Sequence, residues 1–262
     1  MTPGPATRLY AVLGRPVRHS GSPALHNAWF AALGVDAVYL ALEVPAGAED
    51  RAVDAVRTLG LAGANLTVPL KERAVAAVDR LDPAAAAVGA VNTLAWADDG
   101  ALVGHNTDVD GFARSLAAAG VDLAGRDAVV LGAGGAARAV ATAIARAGPA
   151  RLRIAARRAD AADALCAALP VRAEPAPIAT GAIAGADLVV VATSGRADAV
   201  AALDPAVLAD GAAWADLNYW DPDPVGLRAA AARGCRTVRG DGMLRWQAAL
   251  AFERWTGTLP QV

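Results

Sequence analysis

The feature that most constrains this chain is a glycine-rich turn set between an apolar strand and a helix. Residues 127–131 predict a buried strand, residues 132–135 have the sequence Gly-Ala-Gly-Gly, and residues 136–147 predict an alanine-rich helix. A strand, a tight glycine turn and a helix in this order are typical of the βαβ unit that binds dinucleotides. The turn therefore predicts a mainly parallel sheet with helices packed on its faces.

Each small residue of the turn has a separate physical role. Gly132 allows the tight turn, Gly134 lets the backbone approach a pyrophosphate, and Ala137 permits close packing of the helix on the strand. The first amides of the helix are unpaired and carry a partial positive charge that suits phosphates. A glycine motif by itself could be an ordinary βα turn. Here the motif lies between a predicted strand and a predicted helix, and this position favours dinucleotide binding. The predicted cofactor contacts in this turn are Gly132, Ala133, Gly134, Gly135 and Ala136.

The end of the next strand indicates which nicotinamide cofactor is bound. An NAD site places an acidic residue about 20 residues after the glycine motif, where it bonds the ribose 2′-hydroxyl. Here the predicted strand Arg151–Ala155 is followed by Arg157 and Arg158, and the first acid is Asp160. A guanidinium can hold a 2′-phosphate through two parallel hydrogen bonds, whereas a carboxylate would repel it. The pattern favours NADP, and the alternative is that both arginines are solvated loop charges.

Strand-like and helix-like segments alternate on both sides of this unit, which predicts an α/β fold. Before the turn, strands are predicted at 9–14, 38–44, 63–68, 88–96 and 102–104, and helices at 22–33 and 49–59. After it, strands are predicted at 151–155, 187–192, 212–217 and 236–238, and helices at 160–169, 205–208, 224–233 and 243–256. The second series indicates a doubly wound, Rossmann-type domain over 109–239. The predicted substrate-binding and catalytic domain comprises 1–108 and 240–262, with the active cleft between the two domains.

Composition excludes several other classes of protein. The chain has 262 residues, 55% of them apolar, and a formal net charge of −2 without a basic run, so nucleic-acid binding is not expected. Its two cysteines lie far apart and its three histidines share no ligand spacing, so neither a disulfide framework nor a metal site is expected. Residues 1–8 lack the apolar core of a signal peptide, and the apolar stretch 128–147 is interrupted by arginines and glycines. We therefore expect a cytoplasmic protein without a membrane span.

Two polar clusters stand at the ends of predicted elements in the N-terminal domain. Ser20 and Ser22 flank a glycine at a helix start, where two hydroxyls and nearby amides can hold a carboxylate. Asn92 and Asp108 lie near the two ends of a predicted hairpin. Ser22 and Asp108 could equally be the N-caps of the helices that follow them.

A third polar cluster lies along the predicted strand 63–68. Alternation would put Asn65 and Thr67 on one face of that strand, and Pro69 then turns the chain before Lys71. A surface lysine at a helix start is the ordinary explanation of Lys71. An Asn-x-Thr face beside it is nevertheless unusual for a core strand, so these three residues are candidates for a functional site.

At this point the segments together resemble the shikimate dehydrogenase family, over nearly the full length of the chain. The family's serine pair matches Ser20 and Ser22, and its Asn-x-Thr-x-Pro-x-Lys run matches residues 65–71. Its Gly-Ala-Val-Asn-Thr, Asn-Thr-Asp and Gly-x-x-Met-Leu-x-x-Gln runs match residues 89–93, 106–108 and 240–247. Each motif is short, but five of them in the right order are highly specific together.

The resemblance implies a reversible reduction of 3-dehydroshikimate to shikimate by NADPH, on the chorismate route to aromatic amino acids. Lys71 and Asp108 would be the catalytic pair, with Lys71 exchanging a proton with the ring hydroxyl and polarising the developing alkoxide. Asp108 would orient Lys71 and bond the same hydroxyl. The implied substrate contacts are Ser20, Ser22, Asn65, Thr67, Asn92, Tyr219 and Gln247. The cofactor contacts beyond the glycine turn are Arg157, Arg158, Thr193, Leu217, Gly240 and Met243.

The chain departs from the family pattern in three places, all on the cofactor side. Ala156-Arg157-Arg158 replaces a common Asn-Arg-Thr, and Ala161 stands where a further basic residue is usual. The segment 191–195 lacks the Asn that usually precedes Ala-Thr in the cofactor wall. Leu217 replaces a frequent methionine, which is a mild change of shape.

Other functions fit parts of the same pattern. Quinate or an amino analogue of shikimate is the nearest alternative substrate, because these molecules differ from shikimate only by small groups. A non-catalytic NADP(H)-binding sensor is the alternative from another class, since a fold does not by itself imply catalysis. Retention of both Lys71 and Asp108 argues against a sensor. The expected assembly is a monomer or a homodimer.

Overall fold

The computed structural model of the protein describes residues 2–193 and 197–262, which form two α/β units. Unit 1 comprises the chain up to Thr107 together with Leu244–Val262, and unit 2 comprises Asp108–Met243. No helix in the described ranges is long and apolar enough to cross a bilayer, and no group of three acidic, histidine or cysteine residues there could hold a metal ion.

Unit 1 is built on a mixed six-stranded sheet. Its strands are β1 Arg8–Gly14, β2 Ala37–Glu43, β3 Gly63–Leu66, β4 Arg80–Leu81, β5 Thr93–Trp96 and β6 Leu102–His105. Their order across the sheet is β2-β1-β3-β5-β6-β4. Strands β2, β1 and β3 are parallel, whereas β5 runs antiparallel to both β3 and β6. The carboxyl end of β3 and the first residue of β5 are thereby brought together.

Unit 2 contains a fully parallel six-stranded sheet. Its strands are β7 Asp127–Leu131, β8 Arg151–Ala155, β9 Ala173–Ala176, β10 Leu188–Val191, β11 Ala213–Asp216 and β12 Arg236–Arg239. Their order, β12-β11-β10-β7-β8-β9, is that of a doubly wound nucleotide-binding sheet. The prediction of a Rossmann-type domain is confirmed. The chain reverses direction across the sheet between β7 and β10, which is where such sheets bind ligands.

The helices connect the strands along the whole chain. They are α1 Ser22–Ala32, α2 Ala52–Thr58, α3 Leu70–Arg73, α4 Pro83–Val88, α5 Asp108–Ala118, α6 Gly135–Arg146, α7 Ala159–Ala168, α8 Thr180–Ile183, α9 Ala197–Ala201, α10 Val225–Ala232 and α11 Gly240–Thr256. Short 3₁₀ turns occur at Glu49–Arg51, Ala74–Ala76 and Pro205–Val207. Alanine lines the buried face of α6, whose small side chains allow the helix to pack closely on the sheet.

The last helix completes the core of unit 1. Phe252 packs with Tyr10, Phe30 and Tyr39 in one aromatic cluster, and Trp255 lies against it. The Trp255 indole donates a hydrogen bond to the Leu94 carbonyl at 2.9 Å. The fold of unit 1 therefore depends on residues from both ends of the chain.

Several local predictions are wrong, and each has a physical reason. The predicted strand 88–96 begins only at Thr93, because residues 83–88 form α4, which Asp82 caps and Gly89 ends in the left-handed conformation. The predicted strand 63–68 ends at Leu66 and is buried on both faces, so strand alternation does not extend to Thr67.

The proposed helix caps also differ from the prediction. Ser22 and Asp108 are the first residues of α1 and α5, and the N-cap of α1 is Gly21. Ser22 is therefore not the N-cap of α1.

Candidate active site

Unit 2 holds a cavity of about 590 Å³ at the carboxyl ends of its central strands. Its walls come from the loops that follow β7, β8, β9 and β10. The residues that line it are Gly132, Ala133, Gly134, Ala156, Arg157, Arg158, Ala161, Pro177, Ile178, Ala192, Thr193 and Ala199. This position, at the reversal of strand order, is where doubly wound sheets bind nucleotides.

The two glycines at this cavity differ in what a side chain would meet. Gly132 has a φ of +128°, and a side chain there would come within 3.0 Å of the Ala192 carbonyl oxygen, so the protein itself excludes one. Gly134 is extended, with a φ of −85°, and a side chain there would meet no atom of the described chain. A Cβ at Gly134 would instead fill open space next to the amino end of α6. The residues present therefore fit a pyrophosphate group that approaches the backbone at that point.

Two arginines stand at the edge of the cavity without partners in the described ranges. Arg157 and Arg158 are exposed, and Arg158 is the residue before α7. Neither guanidinium forms a hydrogen bond or ion pair with another described residue. Asp160 is exposed in the first turn of α7 and is not part of the cavity wall. The charge at the end of β8 is therefore suited to a 2′-phosphate.

Thr193, which lines the cavity, is hydrogen-bonded to the loop that follows β11. Asn218 donates its side-chain amide to Asp216 Oδ1 at 2.7 Å and to the Thr193 carbonyl at 3.1 Å. Burial raises the pKa of the Asp216 carboxyl, although the Asn218 hydrogen bonds oppose this shift. The Thr193 hydroxyl is buried without a hydrogen-bond partner among the described residues, so it is a polar group that a ligand in the cavity could satisfy.

The cavity wall contains part of the predicted cofactor set and adds residues to it. Of that set, the lining residues are Gly132, Ala133, Gly134, Arg157, Arg158 and Thr193. Gly135 and Ala136 instead begin α6. Pro177 and Ile178 were missed because β9, which precedes them, contains a proline and was not predicted as a strand. Ser194 and Gly195 of the predicted segment 191–195 lie outside the described residues.

Leu217, Tyr219, Gly240 and Met243 lie in the last part of unit 2. A side chain at Gly240 would overlap the Leu217 backbone, with 2.6 Å between its Cβ and the Leu217 carbonyl carbon. This packing alone explains why the position is a glycine. Tyr219 follows Asn218 and meets Trp220 edge to face at 5.2 Å, while Met243 is buried.

In unit 1 the polar residues that end β3 and begin β5 form one buried network. The Tyr39 hydroxyl donates to Asn65 Oδ1 at 2.7 Å. Asn65 Nδ2 donates to Thr93 Oγ1 at 2.9 Å and to the Asn92 carbonyl at 3.2 Å. Because both amide atoms of Asn65 are bonded within unit 1, this residue supports its neighbours in addition to any predicted contact with substrate.

The network continues from Asn92 to the end of unit 1. Asn92 Oδ1 accepts from the Thr107 backbone amide at 2.8 Å and from the Thr93 hydroxyl at 2.9 Å. Asn92 Nδ2 donates to Thr107 Oγ1 at 2.9 Å. Asn106 is also buried and donates to the Ala90 carbonyl at 2.8 Å. The antiparallel hairpin of β5 and β6 therefore brings the motifs 89–93 and 106–107 together at its open end.

The serine pair and Thr67 are held by backbone contacts. Ser20 Oγ accepts a hydrogen bond of 3.3 Å from the Ser22 amide, and Ser22 is almost fully buried. The Thr67 amide donates to the Leu13 carbonyl at 2.9 Å. Gly14, which follows Leu13, has a φ of +153°, and a side chain there would lie 2.8 Å from the Val68 carbonyl oxygen. A glycine is required there so that the loop carrying Thr67 can pack on β1.

The two predicted catalytic residues lie at or next to the first residue of α3 and of α5. Lys71 is half-buried in α3, and its carbonyl accepts a 2.7 Å hydrogen bond from the amide of Val91, the residue before Asn92. Asp108 begins α5, directly after Thr107, and is only 4% exposed. Gln247, on α11, donates to the Leu244 carbonyl at 2.9 Å.

His26 is a fully buried histidine that the sequence did not single out. Its ring stacks on Tyr39 at 4.3 Å, with an interplanar angle of 15°, and its ring nitrogens have no hydrogen-bond partner among the described residues. Burial lowers its pKa to about 3, so the ring is neutral near pH 7. It therefore packs as an apolar ring beneath the network.

A doubly wound sheet with a glycine turn and a cavity at its strand ends defines a dinucleotide-binding protein of the α/β type. Residues 12–94 match the family described as "Shikimate dehydrogenase substrate binding domain", and residues 115–204 match "Shikimate / quinate 5-dehydrogenase". A protein from Moorella thermoacetica named shikimate dehydrogenase (NADP(+)) is 45% identical, over 96% of this chain and 89% of that protein. The chain belongs to the shikimate dehydrogenase family.

Solved structures agree with this assignment. Shikimate 5-dehydrogenase from Thermus thermophilus, in complex with NADP(H) and shikimate, superimposes with a TM-score of 0.87 at 40% identity, over 97% of this chain and 95% of that one. A ligand-free 5-ketofructose reductase from a Gluconobacter species has a TM-score of 0.84 at 29% identity, over 98% and 96% of the two chains. One fold thus accommodates proteins named for different substrates, so the substrate must be argued from the site.

Proposed function

We propose that this chain is an NADP-dependent shikimate dehydrogenase that catalyses the reversible reduction of 3-dehydroshikimate to shikimate. The observation that carries the proposal is the 45% identity to a protein of that name over nearly the full length of both chains. All five family motifs are present, and Lys71 and Asp108 are retained. The reaction is a step on the route to aromatic amino acids.

Lys71 and Asp108 are the proposed catalytic pair. NADPH supplies the hydride for reduction, and NADP takes it up in the reverse direction. The Lys71 ammonium donates a proton to the oxygen of the ring carbonyl as it becomes a hydroxyl, and it stabilises negative charge that develops there. The carboxylate of Asp108 accepts a hydrogen bond from that hydroxyl and orients the Lys71 ammonium.

The remaining polar residues of unit 1 are proposed to bind the two sides of the ring. The hydroxyls of Ser20, Ser22 and Thr67 bind the carboxylate, and the side-chain amides of Asn92 and Gln247 bind ring hydroxyls. The burial of Ser22 and Asn92 supports this role, because hydrogen bonds strengthen when water is excluded. Asn65 and, from unit 2, Tyr219 complete the proposed substrate set.

The preference for NADP is proposed to come from Arg157 and Arg158. Both guanidinium groups stand at the cavity edge without a partner in the described ranges, and no acid in those ranges lines the cavity. Each can make charge-assisted hydrogen bonds to a 2′-phosphate that NAD lacks. The rest of the proposed cofactor set comprises the turn residues Gly132, Ala133, Gly134, Gly135 and Ala136, together with Thr193, Leu217, Gly240 and Met243.

A substrate panel tests the proposal directly. Formation of the reduced nicotinamide is followed by absorbance, with NADP or NAD and with shikimate, quinate or an aminoshikimate. We expect the highest kcat/KM for shikimate with NADP. A higher value with quinate or the amino analogue would assign the chain to another substrate of the family. No turnover of any pair, together with tight binding of NADPH, would make it a sensor.

A cytoplasmic location and a monomeric or homodimeric state belong to the same proposal. Light scattering after size-exclusion chromatography measures the second, with one or two copies of the 26.3 kDa chain as the expected result.

A further inference from the structure

The amide of Asn92 can adopt only one orientation in unit 1. The backbone amide of Thr107 is solely a donor, and it lies 2.8 Å from one side-chain atom of Asn92, which must therefore be the oxygen. The nitrogen of Asn92 then lies on the other side, where it donates to Thr107 Oγ1. A substrate hydroxyl that approaches the Asn92 nitrogen consequently meets a hydrogen-bond donor.

Thr93 and Asn65 extend this orientation towards the core. Asn65 Nδ2 lies 3.2 Å from the Asn92 carbonyl, an obligate acceptor, so the Asn65 nitrogen faces Asn92 and Thr93. Thr93 Oγ1 accepts from that nitrogen at 2.9 Å and donates its own hydrogen to Asn92 Oδ1, also at 2.9 Å. From Asn65 through the Thr93 hydroxyl to Asn92 Oδ1, these side-chain hydrogen bonds therefore run in one direction.

Tyr39 begins this directed chain of donors. Because the Asn65 nitrogen faces Asn92, the Asn65 oxygen faces the Tyr39 hydroxyl, which donates to it at 2.7 Å. The Tyr39 backbone is held by Asn27, whose side chain bonds both its amide and its carbonyl at 2.9 Å. Its ring stacks on His26. Tyr39 is therefore fixed at its backbone, its ring and its hydroxyl.

We propose that Tyr39 and Thr93 are positioning residues that hold the Asn92 amide ready to donate to a substrate hydroxyl. Both are fully buried, so an effect on substrate must pass through a neighbour in the network, and Thr93 is bonded directly to Asn92. The inference rests on the proposed function, because it assigns the Asn92 amide to a ring hydroxyl of shikimate.

The test compares two hydroxyl deletions with matched controls. Tyr39→Phe and Thr93→Val each remove one donor at nearly constant volume. We expect the KM for shikimate to rise about three- to tenfold, the effect of one neutral hydrogen bond, with the KM for NADP unchanged. Thr93→Ser keeps the hydroxyl and should restore the wild-type KM. Tyr10→Phe makes the same chemical change in the same aromatic cluster, where Tyr10 is also buried, and should leave both KM values unchanged.

Two results would overturn the inference. The first is an equal KM for shikimate in Thr93→Val and Thr93→Ser, and the second is an equal rise in Tyr39→Phe and Tyr10→Phe. A merely structural role would lower the melting temperature of Tyr39→Phe without this selective change in KM.

A double-variant cycle then tests the route through Asn92. In an Asn92→Ala background, Tyr39→Phe should have no further effect on the KM for shikimate, and an additive effect would overturn the inference. A wild-type protein that does not turn over shikimate would overturn the proposed function and this inference together. An active wild type with an unchanged Tyr39→Phe overturns this inference alone.

Discussion

In unit 1 two of the residues predicted to bind the substrate, Asn65 and Asn92, are buried and bonded to each other, whereas unit 2 offers the cofactor a cavity with exposed arginines and a glycine turn. Asn65 and Asn92 are each about 95% buried or more, and their amides meet within one network. The guanidinium groups of Arg157 and Arg158 are exposed and form no hydrogen bond or ion pair with other described residues. The difference means that substitutions in unit 1 should affect stability and substrate binding together. Substitutions of Arg157, Arg158 and Gly134 at the cavity of unit 2 should affect cofactor binding alone.

The largest effect is expected for Lys71→Ala. Removal of the ammonium should lower kcat by about 100- to 10,000-fold, the usual contribution of a proton-transfer group, with the KM for NADP nearly unchanged. Arg73→Ala on the same helix is the control, since Arg73 only forms an exposed ion pair with Asp50. Steady-state kinetics of both variants decide the point. An unchanged kcat in Lys71→Ala would show that Lys71 takes no part in proton transfer. The proposal that unit 1 supplies the proton donor would then be wrong.

The next largest effect is expected for the double substitution Arg157→Ala and Arg158→Ala. Each lost charge-assisted hydrogen bond is worth about 1.5–3 kcal/mol, so the KM for NADP should rise about 10- to 100-fold or more. The KM for NAD and the melting temperature should stay constant, because the two side chains are exposed. Arg172→Ala is the control within unit 2, since Arg172 is 91% exposed and does not line the cavity. Equal losses with NADP and NAD would contradict recognition of a 2′-phosphate.

A smaller effect is expected when the pH is lowered, which should reduce the free energy of unfolding of unit 1. This unit contains all three histidines. The pKa of His26 is about 3 in the folded chain and 6.5 when unfolded. Its contribution to stability is fully present above pH 6.5 and is lost as the pH falls towards 3, because only the unfolded chain takes up the proton there. At pH 5 the loss is about 2 kcal/mol, at about 1.36 kcal/mol per pH unit.

Urea unfolding at pH 7 and pH 5 measures this loss. The wild type should lose about 2 kcal/mol more than His26→Phe, which has no group to titrate at this position. The same loss in both proteins would show that His26 does not limit acid stability.

The smallest effect is expected for Gly134→Ala. This substitution tests whether the missing side chain matters for cofactor binding or for the stability of the fold. A Cβ at Gly134 meets no described atom, so the melting temperature should not change. The KM for NADP should rise about fivefold or more, as expected when at least one backbone contact of ~1 kcal/mol is lost. Gly181→Ala in α8 is the control, because a Cβ there also meets nothing in the described chain and Gly181 does not line the cavity. Similar KM values in the two variants would contradict a close approach of the pyrophosphate to Gly134.

Unit 2 could be predicted from the sequence more fully than unit 1. The strand, glycine turn and helix at 127–147 are contiguous, so local rules predict them, and the parallel order of the sheet follows from the repeated alternation. Strand β9 was missed because Pro175 lies within it, and proline is tolerated only because β9 is at the edge of the sheet.

Unit 1 could be predicted only in part. The motifs identified the residues of the network, but Tyr39 and Thr93 lie 26 and 28 positions from Asn65, so no local pattern relates them. The Asp82-Pro83 start and Gly89 end of α4 were visible as capping residues, but the apolar residues after 88 favoured a strand. The antiparallel pairing of β5 with β3 brings Asn65 next to Thr93. Because this pairing is a tertiary contact, the local sequence around either residue does not predict it.

The aromatic cluster of unit 1 also determines the order in which a growing chain can complete its parts. Phe252 and Trp255 leave the ribosome after every residue of unit 2. A nascent chain that ends before α11 has all the strands of the parallel sheet, but Tyr10, Phe30 and Tyr39 still lack their last aromatic partners. Unit 1, whose first strands are synthesised before unit 2, therefore completes its aromatic core only after all of unit 2 has been synthesised.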